Sequence, residues 1–380
     1  MARPGEIREL RSVMEEIAQQ RLVAVVRGAG TKIDWGRAPK RLDVVIDVSQ
    51  LDRVAEHVVG DLVVRVEPGI RLAELQRTLG LAGQRLSIDE VIPGSTIGGI
   101  VATGLSGPRR LVSGGVRDLL IGATVIRSDG KITHSGGKVV KNVAGYDLCK
   151  LYTGSYGTLG VLAEAVFRLH PVPPTAAWVS VPVEDAHTMA QAVRNLLSSQ
   201  LVPVALEIDR PRVESPIQLS VLFEGLSKSV EKRCEKACGF LGSSAHVASS
   251  PPRWWAALPG PMTIKATTTI SGVAGTLCTI EGAAARADLR PAVRSSPGLG
   301  IVYVGFEEDC EPKQVDTFLG LLREHLLSTG GSAVVVRAPA EIKAAVDVWG
   351  PVRSIKLMRR IKASFDPHGL LAPGRFVGGI

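Results

Sequence analysis

The residue types in this chain most suited to holding a ligand are clustered glycines and hydroxyls. Residues 92–107 read I-P-G-S-T-I-G-G-I-V-A-T-G-L-S-G. After Pro93, residues Gly94, Ser95, Thr96, Gly98, Gly99, Thr103, Gly104, Ser106 and Gly107 present a ligand with hydroxyls and backbone N–H groups. Glycine lets a backbone come close to a ligand and take positive φ without steric cost. A concave series of N–H groups cradles an anion, most often a phosphate. A second run, Arg27-Gly28-Ala29-Gly30-Thr31-Lys32, comes after an apolar stretch. A third, Gly154-Ser155-Tyr156-Gly157-Thr158-Leu159-Gly160, leads into Val161.

Three phosphate-binding templates can be tested against these runs. A Walker A loop requires G-x-x-x-x-G-K-[ST]. Gly94 and Gly99 have its glycine spacing, but Ile100 and Val101 replace the Lys and Ser/Thr. A dinucleotide fingerprint requires G-x-G-x-x-G between a strand and a helix. Gly28 and Gly30 come after a strand pattern, but Ile33 takes the third glycine's place, and the residues from there through Pro39 do not read as helix. The third arrangement is two separate glycine loops, roughly 65 residues apart, converging on one diphosphate through backbone amides without a helix N-terminus.

Hydrophobic period gives the elements that position these loops. Residues 6–20 read as an amphipathic helix, then strands at 22–26 and 44–48, a short helix at 51–59, a strand at 62–66 and a helix at 71–79. Further strands lie at 119–127, before the turn Ser128-Asp129-Gly130, and at 161–169, before Pro171, Pro173 and Pro174 break the chain. Beyond the prolines a β-α-β-β-α order over 178–240 resembles a ferredoxin-like half. Residues 243–300 are rich in Ser, Ala, Pro and Gly and read poorly. A strand at 301–306, a helix at 315–327, a strand at 332–337 and a basic helix from Ser354 complete the pattern, with no fixed-period repeat.

At 380 residues the chain is long enough for more than one domain, and its 45% hydrophobic content is that of a globular protein. Its apolar runs are short and interrupted by glycine, below the ~18–20 residues of a membrane span, and no signal peptide is visible. Cys149, Cys234, Cys238, Cys278 and Cys310 are scattered and odd in number, against a zinc or disulfide framework and in keeping with a reducing cytoplasm. The net charge of +8 comes from dispersed Lys and Arg, with only 4% aromatic residues. That argues against nucleic acid and for an anionic cofactor, an acidic substrate or an acidic protein partner.

The loop at 27–32, the turn Val66-Glu67-Pro68-Gly69, the run 93–99 and the segment 154–160 stand in an order that resembles the FAD-binding domain of the vanillyl-alcohol oxidase/p-cresol methylhydroxylase (PCMH) family. Three further stretches resemble the E subunits of bacterial glycolate oxidases. They are Gly104-Leu105-Ser106-Gly107-Pro108-Arg109-Arg110, Lys138-Val139-Val140-Lys141-Asn142-Val143-Ala144-Gly145-Tyr146-Asp147-Leu148, and the ending Phe365-Asp366-Pro367…Pro373-Gly374-Arg375. The resemblance is dense over 22–171, recurs over 340–380 and is weak between. It implies an α+β fold with a two-subdomain PCMH-type FAD-binding domain at 1–174 and a smaller antiparallel-sheet cap at 175–337. A C-terminal segment at 338–380 would return to the FAD domain.

The same resemblance implies that Arg27, Gly28, Ala29, Gly30, Thr31, Lys32 and the run from Pro93 to Gly107 hold the FAD diphosphate. Gly157, Gly160 and Val161 would meet the adenine end. Thr31 stands where some members carry a flavin-linking histidine, which implies noncovalent FAD. The implied reaction is oxidation of glycolate, or a similar small 2-hydroxy acid, to the 2-oxo acid. Electrons would pass to a flavin D-type subunit and an iron–sulfur F-type subunit, with at most peripheral membrane association through them. The alternatives are a non-catalytic electron-transfer or assembly subunit, and a stand-alone D-lactate-type dehydrogenase. A nucleotide-sugar reductase on the same FAD fold would need a Ser and Glu acid pair that cannot be placed.

Such an oxidation needs a base for the hydroxyl proton and a hydride acceptor, and no base stands out. Arg109, Arg110 and Lys141 are weak candidates near the flavin or a substrate carboxylate; a salt bridge is the plain reading of the arginines, and loop packing that of Lys141, Asn142 and Asp147. His134, His325 and His368 read as structural or solvent-facing, and Trp254, Trp255 and Trp349 as core or interface. No His/Glu cluster calls for a metal. Ala372 occupies the place where many relatives carry Asn.

Overall fold

A helical period opens the chain: Ile7–Gln20 buries Leu10, Met14 and Ile17 along one face. The computed structural model describes residues 1–137, 146–307 and 309–380. Packing divides them into a first unit (1–107, 113–172 and 352–380) and a second (108–112 and 173–351).

In the first unit, β1 (Ala24–Arg27) and β2 (Val44–Asp47) pair in parallel. Ala2 bridges Ile46 and Leu371 bridges Ala24, so both ends of the chain extend this small sheet. Leu10, Met14, Ile46, Leu51 and Leu371 form its core. Next come β3 (Val54–Val58), β4 (Val63–Val66), β5 (Gln84–Arg85), β6 (Leu120–Ile126), β7 (Ile132–Gly136), β8 (Val161–Arg168) and β9 (His170–Pro171). Five of them make an antiparallel sheet in the order β3-β4-β8-β6-β7, and β5 pairs with β9. A second core gathers Leu72 and Leu75 of helix Leu72–Gly80, Ile97 and Ile100, and Phe167 of β8.

Within the expected helix at 51–59, Val54–Val58 is a strand. Val54 and Val58 are β-branched and lose little in an extended chain, and β3 gains an antiparallel partner in β4. Local pattern gave way to pairing.

The last segment is tied down by charge. Helix Ile355–Phe365 carries Lys362, whose Nζ donates to the Thr158 carbonyl at 2.8 Å, the Leu371 carbonyl at 2.9 Å and Asp366 Oδ2 at 2.6 Å. Asp366 in turn accepts the N–H groups of Leu370 and Leu371 at 2.9 and 2.8 Å. Every polar atom of this buried ion pair has a partner, the condition under which such a pair is tolerated.

The second unit is built on β10 (Thr175–Val183), β11 (Ala205–Arg210), β12 (Ile217–Gly225), β13 (His246–Ala248), β14 (Met262–Thr267), β15 (Ala292–Ser296), β16 (Ile301–Phe306) and β17 (Ser332–Arg337). They form one antiparallel sheet in the order β13-β10-β12-β11-β15-β16-β14-β17. Helices Ala186–Ser198, Ser227–Leu241, Val273–Ala287 and Pro312–Ser328 bury Met189, Val230, Ile280 and Phe318 in a common core with the sheet. Each half of the sheet is a β-α-β-β-α-β unit, and β11 and β15 join the halves through Ile208↔Ser295, Asp209↔Arg294 and Arg210↔Val293.

Two readings are corrected here. Residues 243–300, which read poorly, hold three strands of the main sheet and a 15-residue helix. The chain also contains a structural duplication where no sequence repeat was visible. Helix Val273–Ala287 is rich in Ala, Gly and Thr, so its buried and exposed faces differ little in hydropathy. The halves share an order of elements rather than residue identities.

Candidate functional site

At the end of β1 the chain turns into the 27–32 loop, with Gly30 at φ +78. This loop lies directly on the second glycine run. A Cβ on Gly28 would fall 2.3 Å from Thr96 Oγ1, so only glycine permits the approach. Thr96 caps a short helix, Ile97–Thr103, through the Gly99 N–H at 3.4 Å. The sequence pattern suggested two loops and no helix N-terminus, because Gly98 and Gly99 are poor helix formers. Contact explains Gly98: a Cβ there would sit 2.9 Å from Pro68 Cβ and 3.0 Å from its carbonyl oxygen. The third run docks on this helix. Gly154 N–H donates to the Val101 carbonyl at 2.9 Å and Tyr156 N–H to the Ala102 carbonyl at 2.8 Å.

These pieces line a cleft with about 880 Å³ of space unfilled by protein, counting the part open to solvent. Of the residues singled out from sequence, Arg27, Gly28, Ala29, Gly30, Thr31, Lys32, Thr96, Gly98, Gly99, Thr103, Gly157, Gly160 and Val161 line it. The others lie outside the lining. Gly94, at φ +75, donates its N–H to Glu90 at 2.9 Å. Ser95 supports Lys32, and Gly104 ends the helix at φ +63. Ser106 Oγ accepts the Val116 N–H at 3.0 Å, Gly107 packs on Asp89, and Pro93 precedes the Gly94 turn.

Sequence reasoning did not single out Tyr152, Ser155, Tyr156 and Arg375 as lining residues. Tyr156 takes φ +57, and its ring tilts against Phe376 with centroids 5.4 Å apart. Arg375 donates to the carbonyls of Ile33 at 2.7 Å, Trp35 at 3.2 Å and Lys32 at 3.3 Å. Its place in the Pro-Gly-Arg ending was the available signal.

The electrostatics of the cavity favour an anion. Lys32 is 6% exposed, and its Nζ donates to Ser95 Oγ at 2.6 Å and Thr31 Oγ1 at 3.2 Å. Burial pushes its ammonium down to about 8, with Glu90 pulling the other way. Arg27 Nε is buried with no hydrogen-bond partner among the described residues. A half-compensated ammonium and an unpaired guanidinium N–H are donors in search of phosphate oxygens. The residues present therefore fit the diphosphate of FAD. Gly98→Ala is expected to displace the helix start from Pro68 and cost about 1–3 kcal/mol. Denaturant unfolding and flavin content of the purified variant check this.

The weak catalytic candidates find other settings. Arg109 forms an ion pair with Glu224 at 3.0 Å. Lys141 and Asn142 lie outside the described residues, and Asp147 pairs with Lys150 at 3.7 Å. His134 Nδ1 meets Thr124 Oγ1 at 3.2 Å, His325 Nε2 approaches Thr276 Oγ1 at 3.5 Å, and His368 is exposed. Trp178, Trp254 and Trp255 form an aromatic cluster. Ala372 is buried at φ +43, a conformation that Asn tolerates better than Ala. Among the described residues, no group of three or more His, Cys, Asp or Glu side chains converges as metal ligands. None of the described helices is long and apolar enough to cross a membrane.

Residues 1–136 match the FAD binding domain family, and residues 349–376 match the C-terminal domain of FAD linked oxidases. The chain is 27% identical over 410 residues to glycolate oxidase subunit GlcD of Bacillus subtilis, across 98% of this chain and 87% of the relative. Glycolate oxidase subunit GlcE of Escherichia coli is 35% identical over 184 residues, 48% of this chain and 51% of the relative. A D-lactate dehydrogenase of Anaerostipes hadrus is 24% identical across 97% of this chain and 87% of its own length. The solved structure of p-cresol methylhydroxylase superimposes with a TM-score of 0.76 at 16% identity, covering 98% of this chain and 87% of that one, which shows a shared PCMH-type α+β fold. The chain is an FAD-linked oxidoreductase, related to the glycolate oxidase subunits and the D-lactate dehydrogenases.

Proposed function

We propose that this chain is itself a flavin-dependent dehydrogenase of a small 2-hydroxy acid, of the glycolate or D-lactate class. The extent of similarity carries the reading. The GlcD subunit and the D-lactate dehydrogenase align along 98% and 97% of the chain, whereas the GlcE subunit aligns along 48%. That favours a self-sufficient dehydrogenase over the E-subunit role which the first-unit motifs resemble.

In this reading noncovalent FAD, when bound, supplies the hydride acceptor. The chain's own residues do the holding. Lys32, Arg27 and the amides of the 27–32 loop would take the diphosphate, and the backbone of Gly157, Gly160 and Val161 would border the adenine end. The second reading, a flavin subunit acting with D-type and F-type partners, is supported by the 35% identity to GlcE over 184 residues. One experiment separates the two. The purified, flavin-loaded chain is mixed anaerobically with glycolate and with D-lactate, and the visible flavin band is followed. Bleaching by the unaided chain is expected. A band that stays unchanged until a D-type partner is added would overturn the first reading in favour of the second.

A further inference from the structure

Helix Ser227–Leu241 turns Val230, Cys234 and Ala237 into the core of the second unit. Its opposite side is basic. Lys228, Lys232 and Lys236 recur at every fourth position, and Phe240 continues the series. All four are exposed. With a rise of about 1.5 Å per residue, successive lysines stand about 6 Å apart along the helix axis.

These residues line a groove with about 1350 Å³ of space unfilled by protein, counting the part open to solvent. Its other side is the turn at 198–201, and Leu226, Ser229 and Arg233 complete the lining. Four cations border this groove and no acid does. Arg233 is fixed without being neutralised. It donates to the Glu224 carbonyl at 2.6 Å and the Leu201 carbonyl at 3.5 Å, and it lies over the Phe223 ring, 5.4 Å from its centroid. Glu231 and Glu235 stand on the same helix but not in the groove. Among the described residues, none of the three lysines has an acid in an ion pair. Like charges at i,i+4 weaken a helix rather than support it, so the stripe does nothing for the fold. Apolar surface accompanies the charge: Leu226 is 72% exposed just before the helix, and Phe240 is 55% exposed near its end.

We propose that this groove docks an acidic segment of another protein. Its carboxylates would stand about 6 Å apart, at every fourth residue of a helix or every second residue of an extended chain. Apolar side chains flanking them would cover Leu226 and Phe240. Charge complementarity selects this occupant. A second copy of the chain brings its own net charge of +8, which opposes association. Nucleic acid is met by one aromatic side chain rather than a stacking series. A bilayer offers a plane of headgroups, whereas a chain segment can enter a concave groove.

The test uses the full, flavin-loaded chain and two short rhodamine-labelled peptides, followed by fluorescence anisotropy. One carries Glu at every fourth position and the other at every second, each with a leucine at both ends. Saturable binding of at least one is expected, weakening as salt rises past ~0.1 M, where the screening length is about 10 Å. Lys232→Glu should weaken it by about 3- to 10-fold, and joint replacement of Lys228, Lys232 and Lys236 by Glu by about 100-fold. Phe240→Ser should weaken it by roughly 3- to 10-fold, and Lys232→Arg should retain it. Lys313→Glu, on the exposed side of helix Pro312–Ser328, changes the net charge equally and should have little effect. Flavin content and the unfolding midpoint should stay unchanged in all of these variants, so a loss of binding is a loss at the groove. The proposal is overturned if neither peptide binds saturably, or if Lys313→Glu weakens binding as much as Lys232→Glu. It is also overturned if phosphatidylserine vesicles or a short DNA duplex bind more tightly than the peptides and are lost in the triple variant. Sedimentation that shows a dimer of the unaltered chain, split by the triple variant, would assign the groove to a second copy instead.

Discussion

Lys32→Met is expected to raise the dissociation constant for FAD by about 10- to 100-fold and to remove its pH dependence, because the variant loses a charged hydrogen bond aimed into the cavity. Methionine keeps the length and volume of the side chain, so the 27–32 loop should still pack on Thr96. The sign of the pH effect comes from the direction of the shift. Burial lowers the Lys32 ammonium from 10.5 to about 8 in the folded chain. Between those values the unfolded chain holds a proton that the folded apoprotein has lost, so apoprotein stability rises as pH rises through this window. A bound diphosphate brings negative charge to Nζ and draws its pKa back up. Above about pH 8, binding must then take up a proton, and affinity should fall by up to tenfold per pH unit. Titrations of apoprotein with FAD, followed by flavin fluorescence from about pH 7 to 10, measure both effects. A wild-type affinity that is flat across that range would remove Lys32 from the diphosphate site.

Parts of this site were legible in the sequence for a physical reason. Gly28 and Gly98 are there because another residue occupies the space of a Cβ, Thr96 Oγ1 in one case and Pro68 in the other. Close backbone approach leaves a glycine in the sequence, and hydroxyls beside glycines mark the cap and the cradle. Lys32 was legible as a member of its loop, but its burial was not, because that depends on Ser95, which is 63 residues away. Arg375 shows the limit more sharply. It reaches Lys32 of the first loop across 343 positions of sequence, and no local pattern records such a contact. The second unit fails differently. Strands such as Ile217–Gly225 are rich in β-branched and large apolar residues, whereas β14 and the helix after it carry Thr, Ala and Gly that suit several conformations. Residues 51–59 misled for a related reason, since their pattern fitted a helix until β4 supplied a partner.

Arg375→Ala should lower FAD affinity by about 100-fold and destabilise the first unit by about 1–3 kcal/mol, the cost of leaving the buried Trp35 carbonyl and the partly buried Ile33 carbonyl without their donor. The carbonyl of Lys32 keeps the Trp35 N–H at 3.2 Å, but those of Ile33 and Trp35 depend on the guanidinium. Arg375 is 7% exposed, and burial lowers its pKa while Tyr156 and Asp34 oppose that shift. It is a positioning residue: it holds the carbonyls of Lys32, Ile33 and Trp35, and with them the end of the first loop. Arg375→Lys should recover little, because one ammonium cannot reproduce a planar fork that reaches several carbonyls at once. The neighbouring Phe376 packs on Tyr156, so the ending holds both the first and the third glycine run. Coupling of this kind is reciprocal. If the C-terminal segment organises the cradle for FAD, then FAD must stabilise the docked segment. Carboxypeptidase digestion of apoprotein and of flavin-loaded protein reads this directly, with slower trimming expected in the loaded chain. Equal trimming rates, together with an unchanged flavin affinity in Arg375→Ala, would mean that the cradle keeps its shape without the clamp. The first loop would then have to be held by its contact with Thr96 alone.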